Sequence, residues 1–150
     1  MAALQLSRTT YDRLRTEFED LTTRGRIEVA EEIERAREEG DLKENAGYHA
    51  AKDKQGHMEG RIRQLEHLLE TAQVVSHCPV FTFVYDGDSD DQAERYMIGH
   101  MEEQTPDGVE LMGPDSPLGS ALVGAEPGEI VTYQAPGGQM KVRVLAVEWI

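Results

Sequence analysis

Tyr48, Ala51, Gln55, Met58, Ile62, Leu65, Leu69 and Ala72 recur at alternating spacings of three and four without a miss. That period keeps one apolar seam on one face of a helix for more than three heptads, which is the pattern of a coiled coil. A helix running from Glu44 to Gln73 extends about 45 Å. Such a seam needs a partner, and the preceding residues supply one. Tyr11, Leu14, Phe18 and Leu21 form a stripe at spacings of three, four and three. Thr9 or Thr10 stands where an N-cap belongs, with Leu4 and Leu6 just before it. The run TTRG at 22–25 predicts a kink or break, because Gly costs helix stability and Thr is only a fair helix former. Beyond it the stripe is expected to resume, shifted, through Ile27, Ala30 and Ile33. Gly40 is placed to stop the helix.

Two helical segments joined by a short turn make an antiparallel pair, and the turn is its tip. The tip sequence is GDLKENAGYHAA, residues 40–51, with carboxylates three residues apart at Asp41 and Glu44. Asp-x-x-Glu at a helix start reads first as a capping box, in which side-chain oxygens satisfy free backbone N–H groups. Two carboxylates at the end of a long thin pair are also hard oxygen ligands, suited to a Mg²⁺ ion held in another molecule's site.

After Ala72 the helical period stops. Val74, Val75 and Pro79 mark a short linker. Strands are then predicted at Val80–Tyr85, Arg95–Ile98, Val109–Met112, Ile130–Ala135 and Met140–Val147, with one short helix over Pro117–Val123. Pro136-Gly137-Gly138 signals a hairpin between the last two strands. The reading is an α+β chain in two parts. Residues 1–75 form an N-terminal antiparallel coiled coil with an acidic tip near 40–48. Residues 76–150 form a small, mostly antiparallel C-terminal domain.

Charge divides the halves further. The chain carries a formal net charge of −14. Residues 1–75 hold 12 Lys and Arg against 16 Asp and Glu, whereas residues 76–150 hold 3 against 13. The second half therefore lacks the cations that neutralise nucleic-acid phosphates, and a protein surface is its better partner, although charge alone reads first as an aid to solubility. The single cysteine, Cys78, excludes an intrachain disulfide and suits a reducing, cytoplasmic setting. No apolar run is long enough to span a membrane.

Other candidate sites are weaker. The run DGDSDD, 86–91, has Asp91 where a calcium loop of the EF-hand type needs Gly, and Met97 where it needs Glu, so a solvated turn is the expectation. His49, Asp53 and His57 share a helix face but lack a fourth ligand. Arg37, Lys43, Lys52, Lys54, Arg61 and Arg63 place positive charge along the helices, mainly for pairing with glutamates. The chain has no glycine-rich phosphate loop and no nucleophile paired with a base.

The stretch GDLKENAGYHAAKDKQGHMEGRIRQLEHLLETAQVV, 40–75, closely resembles the Gre family of bacterial transcript-cleavage factors. The resemblance continues through DSPLGSALVGAEPGEIV, 115–131, and APGGQMKVRVLAVEWI, 135–150, so it covers nearly the whole chain. It implies an FKBP-like fold for the C-terminal domain, which docks at the rim of the RNA polymerase secondary channel. It also implies that the coiled coil enters the channel, acting as a monomer. Asp41 and Glu44 match the family's tip acids, which help hold a second Mg²⁺ and position water while polymerase hydrolyses its own backtracked RNA near the 3′ end. Lys43, Asn45 and Tyr48 match supporting tip positions. Arg37 and Lys52 match basic positions that contact RNA or polymerase. On this reading the chain is not itself an enzyme, since it completes the active site of another. Between Val75 and Tyr85 the chain is shorter than the family pattern. That leaves an alternative, a Gre-like channel binder that inhibits polymerase without stimulating cleavage.

Overall fold

The computed structural model describes residues 4–150. They form two units, one of residues 11–72 and one of residues 4–10 together with 73–150.

The helical unit contains most of α1 (Arg8–Asp20), then a π-helical turn (Leu21–Gly25), α2 (Arg26–Glu38) and α3 (Ala46–Thr71). At TTRG the helix widens instead of breaking. Thr22 Oγ1 donates to the Phe18 carbonyl at 2.8 Å and Thr23 Oγ1 to that of Glu19 at 2.6 Å. Such back-bonding competes with the helical ladder and bends it. The Arg26 N–H then reaches back five residues to the Leu21 carbonyl.

The extra residue in this turn resets the phase of α2. Val29, Ile33 and Ala36 face the seam and are buried, while Ile27 is 61% exposed and Ala30 is exposed. The expected stripe of Ile27, Ala30 and Ile33 is corrected accordingly. From α3 the seam receives Ala51, Ile62, Leu65 and Leu68 as buried residues. Leu69, expected there, is only half-buried.

Interhelical ion pairs report the antiparallel register. Arg61 grips Glu17 with two hydrogen bonds of 2.7 and 2.9 Å. Arg26 grips Glu59 at 2.9 and 3.0 Å, and Lys54 meets Glu32 at 2.8 Å. As one partner's number rises, the other's falls.

The second unit is built on a five-stranded mixed sheet in the order β5-β4-β3-β7-β6. Its strands are β3 (Pro79–Tyr85), β4 (Glu94–Ile98), β5 (Glu110–Met112), β6 (Ile130–Ala135) and β7 (Gly138–Trp149). The β4–β5 pair is parallel and the other three pairs are antiparallel. Pro136 and Gly137 form the two-residue connection that sets Ala135 opposite Gly138. Being central, β3 is buried on both faces. Phe81 and Phe83 pack with Ile98, Val142, Val144 and the α4 (Pro117–Leu122) residues Leu118 and Leu122. Val80 packs the other way, with Cys78, Met97 and Val109. Helix α4 lies close to the preceding loop at Gly119, where an added Cβ would sit 2.1 Å from the Gly113 carbonyl oxygen.

Residues 73–75 are not a linker. As β2 (Gln73–Val75) they pair in parallel with β1 (Gln5–Ser7), with Leu6 opposite Val74 and fully buried. The first helix starts at Arg8, and the Ser7 hydroxyl, not Thr9 or Thr10, accepts the Thr10 N–H in the manner of an N-cap. This N-terminal piece is tied down by Glu103, a buried carboxylate in the loop after β4. Glu103 accepts from the Ser7 N–H at 2.8 Å, from the Ser7 hydroxyl at 2.7 Å and from the buried Thr10 hydroxyl at 2.7 Å.

Candidate functional site

Helix α2 ends at Glu38, and the chain turns at Gly40 with φ +139°, a conformation L side chains rarely adopt. The turn is then stitched by short-range bonds. The Lys43 N–H donates to Asp41 Oδ1 at 3.0 Å, and the Glu44 N–H donates to the Asp41 carbonyl at 3.3 Å. A His49 ring nitrogen lies 3.3 Å from the Lys43 carbonyl.

The cap of α3 is Asn45. Its Oδ1 accepts the Tyr48 N–H at 3.0 Å, and its Nδ2 donates to the Ala36 carbonyl at the end of α2. The capping-box expectation for Asp41 and Glu44 is therefore corrected. Asp41 closes a local Asx-type turn, and Glu44 precedes the cap. Asn is among the strongest N-cap residues. Its position three residues before Tyr48, the first seam residue, was the available signal.

With the cap supplied by a neutral amide, both acids stay outward. Asp41 and Glu44 are exposed, and the Glu44 carboxylate makes no hydrogen bond or ion pair among the described residues. Asp41 uses one oxygen on Lys43. Among the described residues no group of three or more His, Cys, Asp or Glu side chains comes together to hold a metal ion, so the His49, Asp53 and His57 face forms no such site. The donor set at the tip is thus two carboxylates with free lone pairs. That falls short of a complete magnesium shell but suits Mg²⁺, which typically takes one or two protein carboxylates and fills its shell with water or phosphate oxygens.

The flanking cations are differently placed. The Arg37 guanidinium stands over the Tyr48 ring, 5.9 Å from its centroid, where the π face attracts the cation. Tyr48 also meets the His49 ring edge-on at 5.7 Å. Lys52 donates to Gln55 Oε1 at 2.9 Å. Lys43 is exposed between the two acids. The structure thus gathers Arg37, Asn45 and Tyr48 into one contact set beside the acids, while Lys52 lies further along α3 on its own pairing. In the C-terminal unit the DGDSDD run ends in a 3-10 turn, Asp90–Gln92, with Asp90 paired to Arg143 at 2.7 Å. That is a solvated turn.

Comparison with known proteins converges on one family. Residues 4–74 match the model described as "Transcription elongation factor, N-terminal", and residues 81–149 match "Transcription elongation factor, GreA/GreB, C-term". A transcription elongation factor GreA of Saccharopolyspora erythraea is 42% identical, with the match covering 95% of this chain and 93% of that protein. GreA of Rhodococcus erythropolis is 43% identical, covering 95% and 93%, and GreA of Streptomyces coelicolor 41%, covering 95% and 92%. Among solved structures, GreA factor homolog 1 (Gfh1) of Thermus thermophilus is 23% identical, covering 98% of this chain and 99% of that one, with a TM-score of 0.45. With both halves matched by family models and relatives above 40% identity along nearly the full length, the chain belongs to the GreA/GreB family of transcription elongation factors.

Proposed function

We propose that this chain promotes hydrolysis of backtracked RNA by bacterial RNA polymerase. The helical unit enters the secondary channel and presents its tip to the catalytic centre, while the C-terminal unit docks at the channel rim. The observation that carries this reading is the pair of outward carboxylates, Asp41 and Glu44, beside a helix start already capped by Asn45.

At the polymerase site, Asp41 and Glu44 would serve as partial ligands to a shared Mg²⁺ and as hydrogen-bond acceptors for the attacking water. Such an ion, when held, lowers the pKa of bound water and spreads charge on the phosphoryl oxygens in a two-metal displacement. Lys43, Arg37 and Lys52 counter the charge of the RNA backbone near its 3′ end. Tyr48 holds the Arg37 guanidinium in place by its ring face. The chain is not an enzyme by itself; it acts as a monomer that supplies groups to polymerase.

The test is transcript cleavage in stalled, backtracked complexes with purified factor. Asp41→Ala and Glu44→Ala are each expected to lower stimulated cleavage at least about a hundredfold, on the order of 2.7 kcal/mol in barrier height, with polymerase binding retained. Undiminished cleavage by the double variant would overturn the proposal. Reduced RNA synthesis without shortened transcripts would instead identify a channel blocker.

A further inference from the structure

We infer that Asn45 is the positioning residue of the tip: its carboxamide ties the end of α2 to the start of α3 and so fixes where Asp41 and Glu44 stand. The inference rests on the functional reading above for its consequence, but on geometry for its content.

A primary amide carries a donor and an acceptor on one rigid plane. Asn45 spends them in opposite directions, the Nδ2 on the Ala36 carbonyl and the Oδ1 on the Tyr48 N–H. The first belongs to the last turn of α2, where the Ala36 carbonyl also accepts the Glu39 N–H at 3.2 Å and offers its second lone pair. The second belongs to the first turn of α3, whose N–H groups lack intrahelical partners. The side chain therefore bridges a sequence separation of nine residues, from Ala36 to Asn45, and both acids lie inside it.

Few residues do both jobs. Asp accepts but cannot donate while ionised. Ser and Thr cap a helix but are too short to reach across to α2. Ala does neither. The other bonds of the turn, from Lys43 to Asp41 and from Glu44 to Asp41, are local and exposed. They shape the turn without reaching either helix. The His49 ring at the Lys43 carbonyl ties the turn to α3 alone, and the Arg37–Tyr48 contact joins the two helices without touching the turn. Asn45 is half-buried, so its bonds compete less with water.

The experiment pairs NMR relaxation with cleavage, using full-length Asn45→Ala and Asn45→Asp. In the wild type, backbone order parameters at Lys43 and Glu44 are expected near 0.8 and in Asn45→Ala below about 0.6. In Asn45→Asp, Tyr48 keeps its amide protection because the cap acceptor survives, while Lys43 and Glu44 loosen. Stimulated cleavage at saturating factor falls at least tenfold in both, with the half-saturating factor concentration changed less than twofold. Asn45→Asp guards against simple loss of folding, since the start of α3 stays formed. Unchanged order parameters at 43–44 in Asn45→Ala would overturn the inference, as would full cleavage from a loosened tip. Loosening in Asn45→Ala alongside full activity of Asp41→Ala and Glu44→Ala would support the clamp while overturning the functional reading.

Discussion

Replacing Glu103 with alanine strips three hydrogen bonds from one carboxylate. Its donors are the Ser7 N–H, the Ser7 hydroxyl and the Thr10 hydroxyl, at 2.7 to 2.8 Å. Each bond to a charged group contributes about 1.5–3 kcal/mol in favourable settings. They share one acceptor and do not add fully. The Thr10 side is the costly one, because that residue is 3% exposed and its hydroxyl is left buried without a partner. Together these terms give a loss of about 3–5 kcal/mol, in the range for breaking a buried charged network. Against a total of roughly 5–15 kcal/mol for a small protein, that is a large fraction. With a urea slope on the order of 2 kcal/mol/M, the midpoint of the C-terminal unit should drop by about 2 M.

The assay is urea unfolding followed by Trp149 fluorescence, since this single tryptophan lies on β7 of that unit. Glu103→Gln keeps volume and one acceptor, so it should cost about 1–2 kcal/mol. A double-mutant cycle of Glu103→Gln with Thr10→Val should give a coupling of about 1 kcal/mol or more. A loss below about 1 kcal/mol for Glu103→Ala would refute the reasoning and show that the N-terminal strand is held by β1–β2 pairing and Leu6 alone.

Packing in the same unit sets two further outcomes. Gly119→Ala places a Cβ 2.1 Å from the Gly113 carbonyl oxygen and 2.7 Å from the Ser116 hydroxyl; it should cost about 1–3 kcal/mol or more, read as a lowered urea midpoint. Burial, with the nearby Glu103 charge, pushes the Cys78 thiol up to about 11, so disulfide-exchange reagents at pH 8 should label it slowly in the native protein and rapidly once unfolded. Because the unfolded thiol releases its proton first, stability should fall as pH rises from about 9 to about 11. Glu103→Gln should make native labelling faster.

What the sequence carried well was local and periodic. The coiled-coil seam, the irregularity at TTRG, the five main strands and the Pro136-Gly137 hairpin all depend on neighbours within a few residues. What escaped it depends on geometry the pattern does not encode. The π turn adds a residue, so Val29 and Ala36 turn inward where Ile27 and Ala30 were expected. The β1–β2 pairing joins two three-residue strands far apart in the chain, each too short to show alternation. The Glu103 bonds span 93 to 96 residues. At the tip, Asp-x-x-Glu outweighed the neighbouring Asn in the sequence reading. Spacing could not reveal that a carboxamide satisfying both helices at once would take the cap.

That substitution of roles bears on why the tip acids are there. A residue kept for capping would be tied to backbone N–H groups, and Glu44 is not. The acids also come after Glu38 and Glu39, beyond the C-terminal end of α2, where the helix dipole disfavours negative charge by about 0.3–1 kcal/mol per group at the surface. The start of α3 at Ala46, two residues after Glu44, favours negative charge by a similar amount, so the two dipoles roughly offset each other at the tip. Local stability therefore gives little reason for Glu44 and only an Asx-type bond to the Lys43 N–H for Asp41, which is what the proposed role in cleavage expects. The consequence is a separation of stability from activity. Asp41→Asn and Glu44→Gln should leave the thermal midpoint of the free protein unchanged or slightly raised, while stimulated cleavage collapses. If instead both variants lower the midpoint by several degrees, the acids hold the tip together, and their loss of activity would report structure and not chemistry.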